Sequence, residues 1–337
     1  MIPLADIPVI ADIPVIDAPD GPLQLARLQA AELTQLLKIA CETLPSPLLR
    51  WADRRSEPWL RKSTSPYVDE IAEIARLLGK PGGYALNLNF EWGCTTACRA
   101  SDAKAPGIYR TLDWLFRLGS NVVVARHVTT AGHYYNVTWP GYMGVLTAVA
   151  PRRFAAAMNQ APMAYTFADF GLTLPVDWLV NRWRVHQETA MPPAHLLRRA
   201  FEACASYEEA KHVLAATPIC IPALFTLAGA KPGECCIIER RERDGFVHDG
   251  SGAVANHWIN PHFKGRARPI RSRARRAKLT ALLASLKGDL DWLVPPLLNA
   301  HTRLAVEMNA GLETLVVQGW HGRNPRTHVL RLGPGLP

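Results

Sequence analysis

The stretch "NFEWGCTTACRASDAKAPGIYRTLDW", residues 89–114, sets an apolar run against a glycine and then a cluster of small polar residues that begins with Cys94. A thiol attacks as the thiolate, so a nucleophilic cysteine needs a base close by. The α-amine of a new N-terminus at Cys94 would be such a base, because its ordinary pKa of about 7.7–8.0 is near neutral. Gly93 has no Cβ and leaves the preceding carbonyl open to the thiol. The stretch therefore predicts self-cleavage between Gly93 and Cys94.

The same stretch predicts a β-hairpin that returns two charged residues to the cysteine. "CTTACRAS" and "GIYRTLDW" alternate like strands, and "DAKAPG" between them has the composition of a turn. Arg110 and Asp113 lie on the second strand of this hairpin. An Arg can hold thiolate character and orient a carboxylate, so we predict that Arg110 acts on the thiol and that Asp113 anchors the new ammonium.

Composition indicates an ordinary soluble chain. Of its 337 residues, 48% are hydrophobic and 20% are charged, and no apolar run approaches the ~18 residues of a membrane span. The first twenty residues contain no basic region and four aspartates, unlike a secretory signal. We therefore expect a cytoplasmic protein.

The seven cysteines match no zinc-binding spacing. We expect them to be reduced, with one or two carrying chemistry and the others, including Cys98, serving as small core residues. We predict neither a metal nor an organic cofactor.

Hydrophobic periodicity predicts blocks of helices and blocks of strands. An extended arm precedes two helices, residues 23–44 and 65–79, the second capped by Ser65 and stopped by Gly79. A strand is predicted over residues 84–92, more strands follow to about residue 159, and later helices are predicted at residues 175–188, 192–204, 206–216, 271–286 and 289–300. Such blocks favour an α+β fold of two antiparallel sheets covered by helices, rather than alternating α/β.

Cys-Thr-Thr followed by Arg-x-x-Asp resembles the N-terminal-nucleophile hydrolases of the choloylglycine hydrolase superfamily. Within them the chain is most similar to the branch of acid ceramidase and N-acylethanolamine-hydrolysing acid amidase. The resemblance extends over about residues 80–337. Besides the nucleophile strand, it rests on the segments "GYMGVLTAVAPRRFAAAMNQ" (residues 141–160), "VANHW" (residues 254–258) and the closing strands from "RLAVEMNAG" onward.

The resemblance implies a four-layer αββα sandwich and a precursor that cuts itself before the cysteine. An α-segment, residues 1–93, would stay associated with a catalytic β-segment, residues 94–337. The implied reaction is hydrolysis of an N-acyl lipid amide, such as an N-acylethanolamine or a ceramide-like molecule, through a thioester on Cys94. Asn256 falls at the position of the oxyanion-hole residue. A further active-site Arg falls among Arg271, Arg273 and Arg275, of which spacing favours the first two.

The resemblance also implies a substrate site. We place an apolar acyl channel near Tyr142 and Met143 and further substrate contacts at Asn159 and Gln160. The branch has Glu where this chain has Gln160, which removes a carboxylate expected near the amide and leaves the amine side of the substrate open.

Other readings remain open at this point. The same nucleophile would serve a penicillin-like or bile-salt-like amide, or acyl transfer. A different class is a non-enzymatic binder of nucleic acid or anionic membrane through "KGRARPIRSRARRAK", residues 264–278, which contains eight Lys or Arg and no acid. We favour a solvated basic face there and no nucleic-acid partner. A transient membrane contact of the α-segment helices and the oligomeric state stay undecided.

Overall fold

The computed structural model describes residues 10–88, 93–100, 105–164, 174–268 and 270–334. Most of the first "ADIPVI" copy, the end of the predicted strand 84–92 and half of the "DAKAPG" turn lie outside these residues. The helices are α1 Pro22–Leu28, α2 Ala30–Thr43, α3 Ser46–Lys62, α4 Val68–Leu78, α5 Gly83–Asn87, α6 Leu174–Gln187, α7 Pro193–Ala203, α8 Tyr207–Ala216 and α9 Ser272–Leu282.

The strands form two sheets. They are β1 Val15–Asp17, β2 Gly93–Arg99, β3 Gly107–Asp113, β4 Val123–Thr129, β5 Gly132–Thr138, β6 Thr147–Ala150, β7 Phe154–Gln160, β8 Ala223–Gly229, β9 Cys235–Arg240, β10 Gly245–Asp249, β11 Gly252–Val254, β12 Thr302–Asn309, β13 Thr314–His321, β14 Asn324–Pro325 and β15 Leu330–Leu332. The first sheet has the order β1-β4-β5-β6-β7-β8-β9-β10. The second has the order β11-β2-β3-β12-β13-β14, and β15 also pairs with β13.

The two sheets pack face to face between helices. β2 and β3 lie against β7 and β8, α7 and α8 cover the outer face of the first sheet, and α9 covers the outer face of the second. The largest apolar cluster fills the space between the sheets. This is the predicted αββα sandwich, with one difference: the arm strand β1 pairs parallel to β4, so the first sheet is mixed and not purely antiparallel.

The β2–β3 hairpin has the predicted antiparallel pairing. Gly93 lies opposite Asp113 and Thr96 lies opposite Arg110. The register brings the end of β3 back to the start of β2, so both charged residues return to the neighbourhood of Cys94.

The helices before the hairpin differ from the prediction in three ways. The helix over residues 23–44 is broken at Gln29 into α1 and α2, and α3 was not predicted. The next helix, α4, starts after Tyr67 and not at Ser65, although it stops at Gly79 as expected, with a left-handed φ of 58°.

The strand predicted over residues 84–92 is wrong where the structure describes it, because α5 occupies Gly83–Asn87. The Asp53 carboxylate accepts from the backbone N–H of Gly82 at 2.6 Å and of Ala85 at 2.8 Å. A side chain from α3 therefore satisfies amides that this short helix leaves open at its start, and no local pattern announces such a distant partner.

The helix predicted over residues 289–300 is also wrong. Asp289 and Leu290 have φ values of 63° and 62°, and their amides donate to the Glu307 carboxylate at 3.0 and 2.7 Å. The Trp292 indole donates to the same carboxylate at 2.7 Å. This half-buried acceptor on β12 holds the segment in turns.

A disulfide bond joins Cys98 on β2 to Cys235 on β9 and so links the two sheets. The prediction that the cysteines are reduced is therefore wrong for this pair, whose members are far apart in sequence. Cys94 is a free, buried cysteine. Of the helices within the described ranges, none has the length and apolar character that a bilayer crossing requires.

Candidate active site

Cys94 is the second residue of β2 and points into the space between the sheets. Alternate side chains of a strand face opposite sides. Thr96, on the same side of β2 as Cys94, donates to Asn159 Oδ1 of the first sheet at 2.6 Å, and Cys98 is bonded to Cys235 there. The Cys94 side chain is fully buried, so its chemistry is set by protein groups rather than by bulk water.

Arg110 holds the sulfur. Its Nη2 donates to Cys94 Sγ at 3.2 Å, and its Nη1 donates to the Met158 carbonyl at 2.8 Å and to Asn159 Oδ1 at 3.2 Å. The guanidinium is completely buried. These contacts fix it in one orientation with one nitrogen reserved for the sulfur.

Asp113 lies on the opposite face of the second sheet, against α9. Its Oδ1 accepts from Thr302 Oγ1 at 3.1 Å, and its Oδ2 lies 3.6 Å from Arg275 Nη1. Among the described residues, Oδ2 is buried without a hydrogen-bond partner. Because Gly93 pairs with Asp113, this open acceptor lies beside the peptide bond that precedes Cys94.

The arginine of α9 that contacts Cys94 is Arg275, which corrects the preference for Arg271 or Arg273. Both of those side chains are exposed. Arg275 is fully buried and donates to the Cys94 carbonyl, to Thr95 Oγ1 and to Asn256 Oδ1.

Helical phase selects Arg275 from the three candidates. Ser272, Arg275 and Leu279 are buried on α9, a spacing of three and four that defines one face. Leu279 was the available sequence signal, because an apolar residue four positions after an Arg marks the inward face of an amphipathic helix.

Asn256 follows β11 and holds the nitrogen of Cys94. Its Oδ1 accepts from the Cys94 N–H at 2.8 Å and from Arg275 Nη2 at 2.8 Å. Its Nδ2 donates to the Gln160 carbonyl at 2.8 Å. Both neighbours of Oδ1 are pure donors, so the amide can have only this orientation. The expected contact of Nδ2 with an oxyanion stays a prediction.

Asn159 and Gln160 end β7, next to Cys94. Asn159 Nδ2 donates to the carbonyls of Val254 and Ala255 at 3.3 and 3.1 Å, so its amide joins β7 to the segment before Asn256. The Gln160 backbone contributes its carbonyl to Asn256 and a hydrogen bond to the Cys94 thiol. Both side chains are buried, and their contact with substrate stays a prediction.

Burial raises the pKa of the Cys94 thiol, and the charge of Arg110 opposes this rise. Burial likewise raises the pKa of Asp113, against the charge of Arg275 and hydrogen bonds from Asn299 and Thr302. Cys94 in the uncut chain is therefore a neutral thiol that needs a base to become a nucleophile.

A narrow apolar cavity of about 70 Å³ lies between the N-terminal helices and the strand ends. Tyr142, one of the two predicted acyl-site residues, lines it together with Leu36, Ala40, Trp114 and Trp139. Met143 does not line it. Instead it packs into the cluster around α1–α4, with its backbone N–H donating to Asn87 Oδ1 at 2.7 Å.

The basic run is partly internal. Besides Arg275, three of its arginines are engaged by the protein: Arg266 pairs with Asp177 at 2.9 Å, Arg268 donates to the Ala161 carbonyl at 2.8 Å and Arg276 donates to the Ala253 carbonyl at 2.9 Å. Within the described residues, no group of three His, Cys, Asp or Glu is arranged to hold a metal ion.

A family model described as linear amide C-N hydrolases, choloylglycine hydrolase family, matches residues 94–266, slightly more than half of the chain. The chain belongs to this family. The family predicted from the residues around Cys94 is therefore confirmed. The match starts at Cys94 and includes Arg110, Asp113 and Asn256, whereas Arg275 lies beyond its end.

Curated relatives of this family member include acid ceramidases. The chain is 25% identical to that of Heterocephalus glaber over 217 residues, 58% of this chain and 53% of that protein. It is 32% identical to that of Balaenoptera acutorostrata scammoni over 246 residues, 64% of this chain and 60% of that protein. This family member thus spans little more than half the length of these relatives.

The fold has a counterpart among solved structures. The Caenorhabditis elegans orthologue of N-acylethanolamine-hydrolyzing acid amidase superposes with a TM-score of 0.50 at 19% identity, covering 71% of this chain and 99% of that one. The likeness shows the N-terminal-nucleophile hydrolase fold in this family member, as predicted from its sequence.

Proposed function

We propose that this protein is a cysteine amidase that cleaves its own chain between Gly93 and Cys94 and then hydrolyses a linear N-acyl lipid amide. The proposal rests on one observation: the nitrogen and the sulfur of Cys94 are each held by a different side chain. Asn256 Oδ1 accepts from its nitrogen at 2.8 Å, and Arg110 Nη2 lies 3.2 Å from its sulfur. A cysteine kept only for packing needs neither partner.

Self-cleavage begins with attack of the Cys94 sulfur on the Gly93 carbonyl carbon. The C–N bond breaks, a thioester forms, and the nitrogen takes up the thiol proton. Water then hydrolyses the thioester and leaves Cys94 with a free α-amine. The open Oδ2 of Asp113 lies next to this bond and would accept from the ammonium.

In turnover the α-amine is the base. It remains bonded to Asn256 Oδ1, so its lone pair is directed to take the proton of its own thiol. Arg110 stabilises the thiolate, which attacks the substrate carbonyl. The acyl group is transferred to sulfur while the amine leaves, and water releases the carboxylic acid.

Replacing Gly93 by Ala is expected to slow self-cleavage by about tenfold, because a Cβ there would lie 3.1 Å from the Asp113 Cβ and 3.3 Å from the Ile270 Cδ1 and would displace the scissile bond by a fraction of an ångström. The rate is measured by denaturing mass spectrometry of freshly purified chain over time. Gly79→Ala, where a Cβ meets nothing within 4 Å and only the left-handed φ of 58° is strained, controls for a general loss of stability. Equal rates for Gly93→Ala and wild type would remove the steric argument.

The apolar cavity supports an acyl chain as the substrate's apolar part. It borders Tyr142 and is closed by side chains of α2 and α4. The relatives named acid ceramidase and the acid amidase orthologue point to the same substrate class. The acyl chain would occupy this cavity, widened by displacement of the α-segment helices.

The function is tested with a panel of N-acyl amides of increasing chain length, with a penicillin and a bile-salt conjugate included. We expect acid release from the long-chain amides. Ala40→Phe, which fills the cavity, should lower kcat/KM for long chains by roughly 10- to 200-fold while sparing short ones. Glu42→Phe, on the exposed side of α2, is the matched control. Faster hydrolysis of the penicillin or of the bile-salt conjugate than of the long-chain amides would contradict a lipid amide as the substrate.

A further inference from the structure

Asn256 is not the last member of the hydrogen-bonded chain that starts at the nitrogen of Cys94. Its own backbone N–H donates to Ser272 Oγ at 2.8 Å, and Ser272 Oγ lies 2.8 Å from His257 Nδ1. All three side chains are at least nine-tenths buried. The chain therefore runs from the reactive residue to an imidazole without passing through bulk solvent.

The direction of these bonds follows from the donors present. Ser272 Oγ accepts from the Asn256 amide, so its hydroxyl proton is available for donation, and Nδ1 of His257 is the acceptor within reach. Burial, with the charges of Arg273, Arg276 and Arg275, lowers the pKa of His257 to about 4. The imidazole is therefore neutral near pH 7 and Nδ1 can accept.

The first turn of α9 holds Asn256 at two points. Ser272 binds its backbone N–H, and Arg275, on the same face of the helix, binds its side-chain oxygen at 2.8 Å. Arg275 Nε also donates to the Ile270 carbonyl at 2.7 Å. Ile270 and Arg271 both have left-handed backbones, with φ of 68° and 52°. For a β-branched residue that conformation persists only when the surroundings impose it.

We propose that Ser272 and His257 are positioning residues of the reaction: through Asn256 they fix the nitrogen of Cys94 in the orientation in which its lone pair reaches its own sulfur. This inference rests on the proposed function, because it requires the amine to act as base. Neither residue touches the substrate or the reacting atoms. Loss of the contacts made by Ser272 and His257 should therefore lower the rate of the chemical steps, measured as kcat. Substrate binding, measured as KM, should stay unchanged.

The test compares Ser272→Ala with Ser272→Thr, which keeps the hydroxyl, and with Ser285→Ala, whose exposed hydroxyl donates to the Leu282 carbonyl. We expect Ser272→Ala to lower kcat by roughly 100-fold, with KM within about twofold. Ser272→Thr should recover most of that loss, and Ser285→Ala should match wild type. A raised KM with unchanged kcat, or no recovery with Thr, would overturn the inference.

A second pair of variants decides the matter if Ser272→Ala does not fold. His257→Leu removes the acceptor of the Ser272 hydroxyl, whereas His257→Asn places an amide oxygen near the position of Nδ1. We expect kcat to fall in the Leu variant and to be retained in the Asn variant, at equal melting temperatures. Equal kcat for both variants would refute the positioning role of Ser272 and His257. Turnover by the wild type would still support the proposed amidase function. A wild type that neither cleaves itself nor turns over any amide would refute both.

Discussion

Cys94→Ala is expected to remain one uncut chain of 337 residues and to lose amide hydrolysis by at least about 10⁴-fold, because the sulfur is both the cleaving atom and the acyl carrier. Denaturing mass spectrometry reports cleavage, and acid release from the long-chain amides reports turnover. The variant should melt close to wild type, since Ala fits the space of the buried thiol.

The matched control is Cys220→Ala, another free and buried cysteine that packs in the cluster around α1–α4. It should be cleaved and active. Two fragments divided before residue 94 in Cys94→Ala would show that another group or a contaminating protease cuts the chain. Full turnover by Cys94→Ala would require a different nucleophile.

Arg275→Leu is expected to destabilise the protein as well as stop cleavage. Arg275 is the cation beside the buried Asp113, at 3.6 Å, and it also binds Asn256 and the Cys94 carbonyl. Removing one partner of a buried pair leaves an uncompensated charge, so we expect the free energy of unfolding at pH 7 to fall by about 3–5 kcal/mol. Urea denaturation measures this change.

The loss should shrink as the pH falls. Burial raises the folded-state pKa of Asp113 above its ordinary value, so its ionised form disfavours folding above that pKa and the protonated form does not. Without Arg275 the folded-state pKa rises further, and the variant regains stability relative to wild type once the pH drops through it. A difference in unfolding free energy that is constant from pH 7 to pH 4 would show that Asp113 is not the cause.

Two comparisons isolate the pair. Arg273→Leu, on the exposed side of α9, should change stability by no more than about 0.5 kcal/mol. Asp113→Asn combined with Arg275→Leu should be more stable than Arg275→Leu alone, because the uncompensated charge is gone. Equal losses for Arg273→Leu and Arg275→Leu would return the site to the residues that spacing alone favours.

The hairpin could be predicted from the sequence because the residue pattern that specifies it is local. Residues 93–113 contain the alternation of both strands and the turn composition between them, and an antiparallel pair with a short connection has few registers. Placing Arg110 and Asp113 near Cys94 follows from that register. The Cys-Thr-Thr and Arg-x-x-Asp pattern also sufficed for the family, which in turn implied the layered fold.

The sequence did not show which residues outside the hairpin contact its charged side chains. It placed Arg110 at the thiol, where the structure has it, but it did not show that Asp113 lies against Arg275 on the helix side of the sheet. The orientation of the Asn256 amide was equally hidden, because it depends on donors from β2 and α9. Both features depend on contacts between residues that are far apart in the chain.

What the sequence by itself determined is the nucleophile candidate, its hairpin and the family, all of which rest on short-range patterns. Only the tertiary structure decided that Arg275 enters the site, that residues 83–87 are helical and that Cys98 bonds to Cys235. Each outcome depends on a distant partner: the phase of α9 against the second sheet, the Asp53 carboxylate on α3, and a cysteine on the facing sheet. Local periodicity specifies which faces of an element are apolar, but a buried polar contact exists only once both partners are in place.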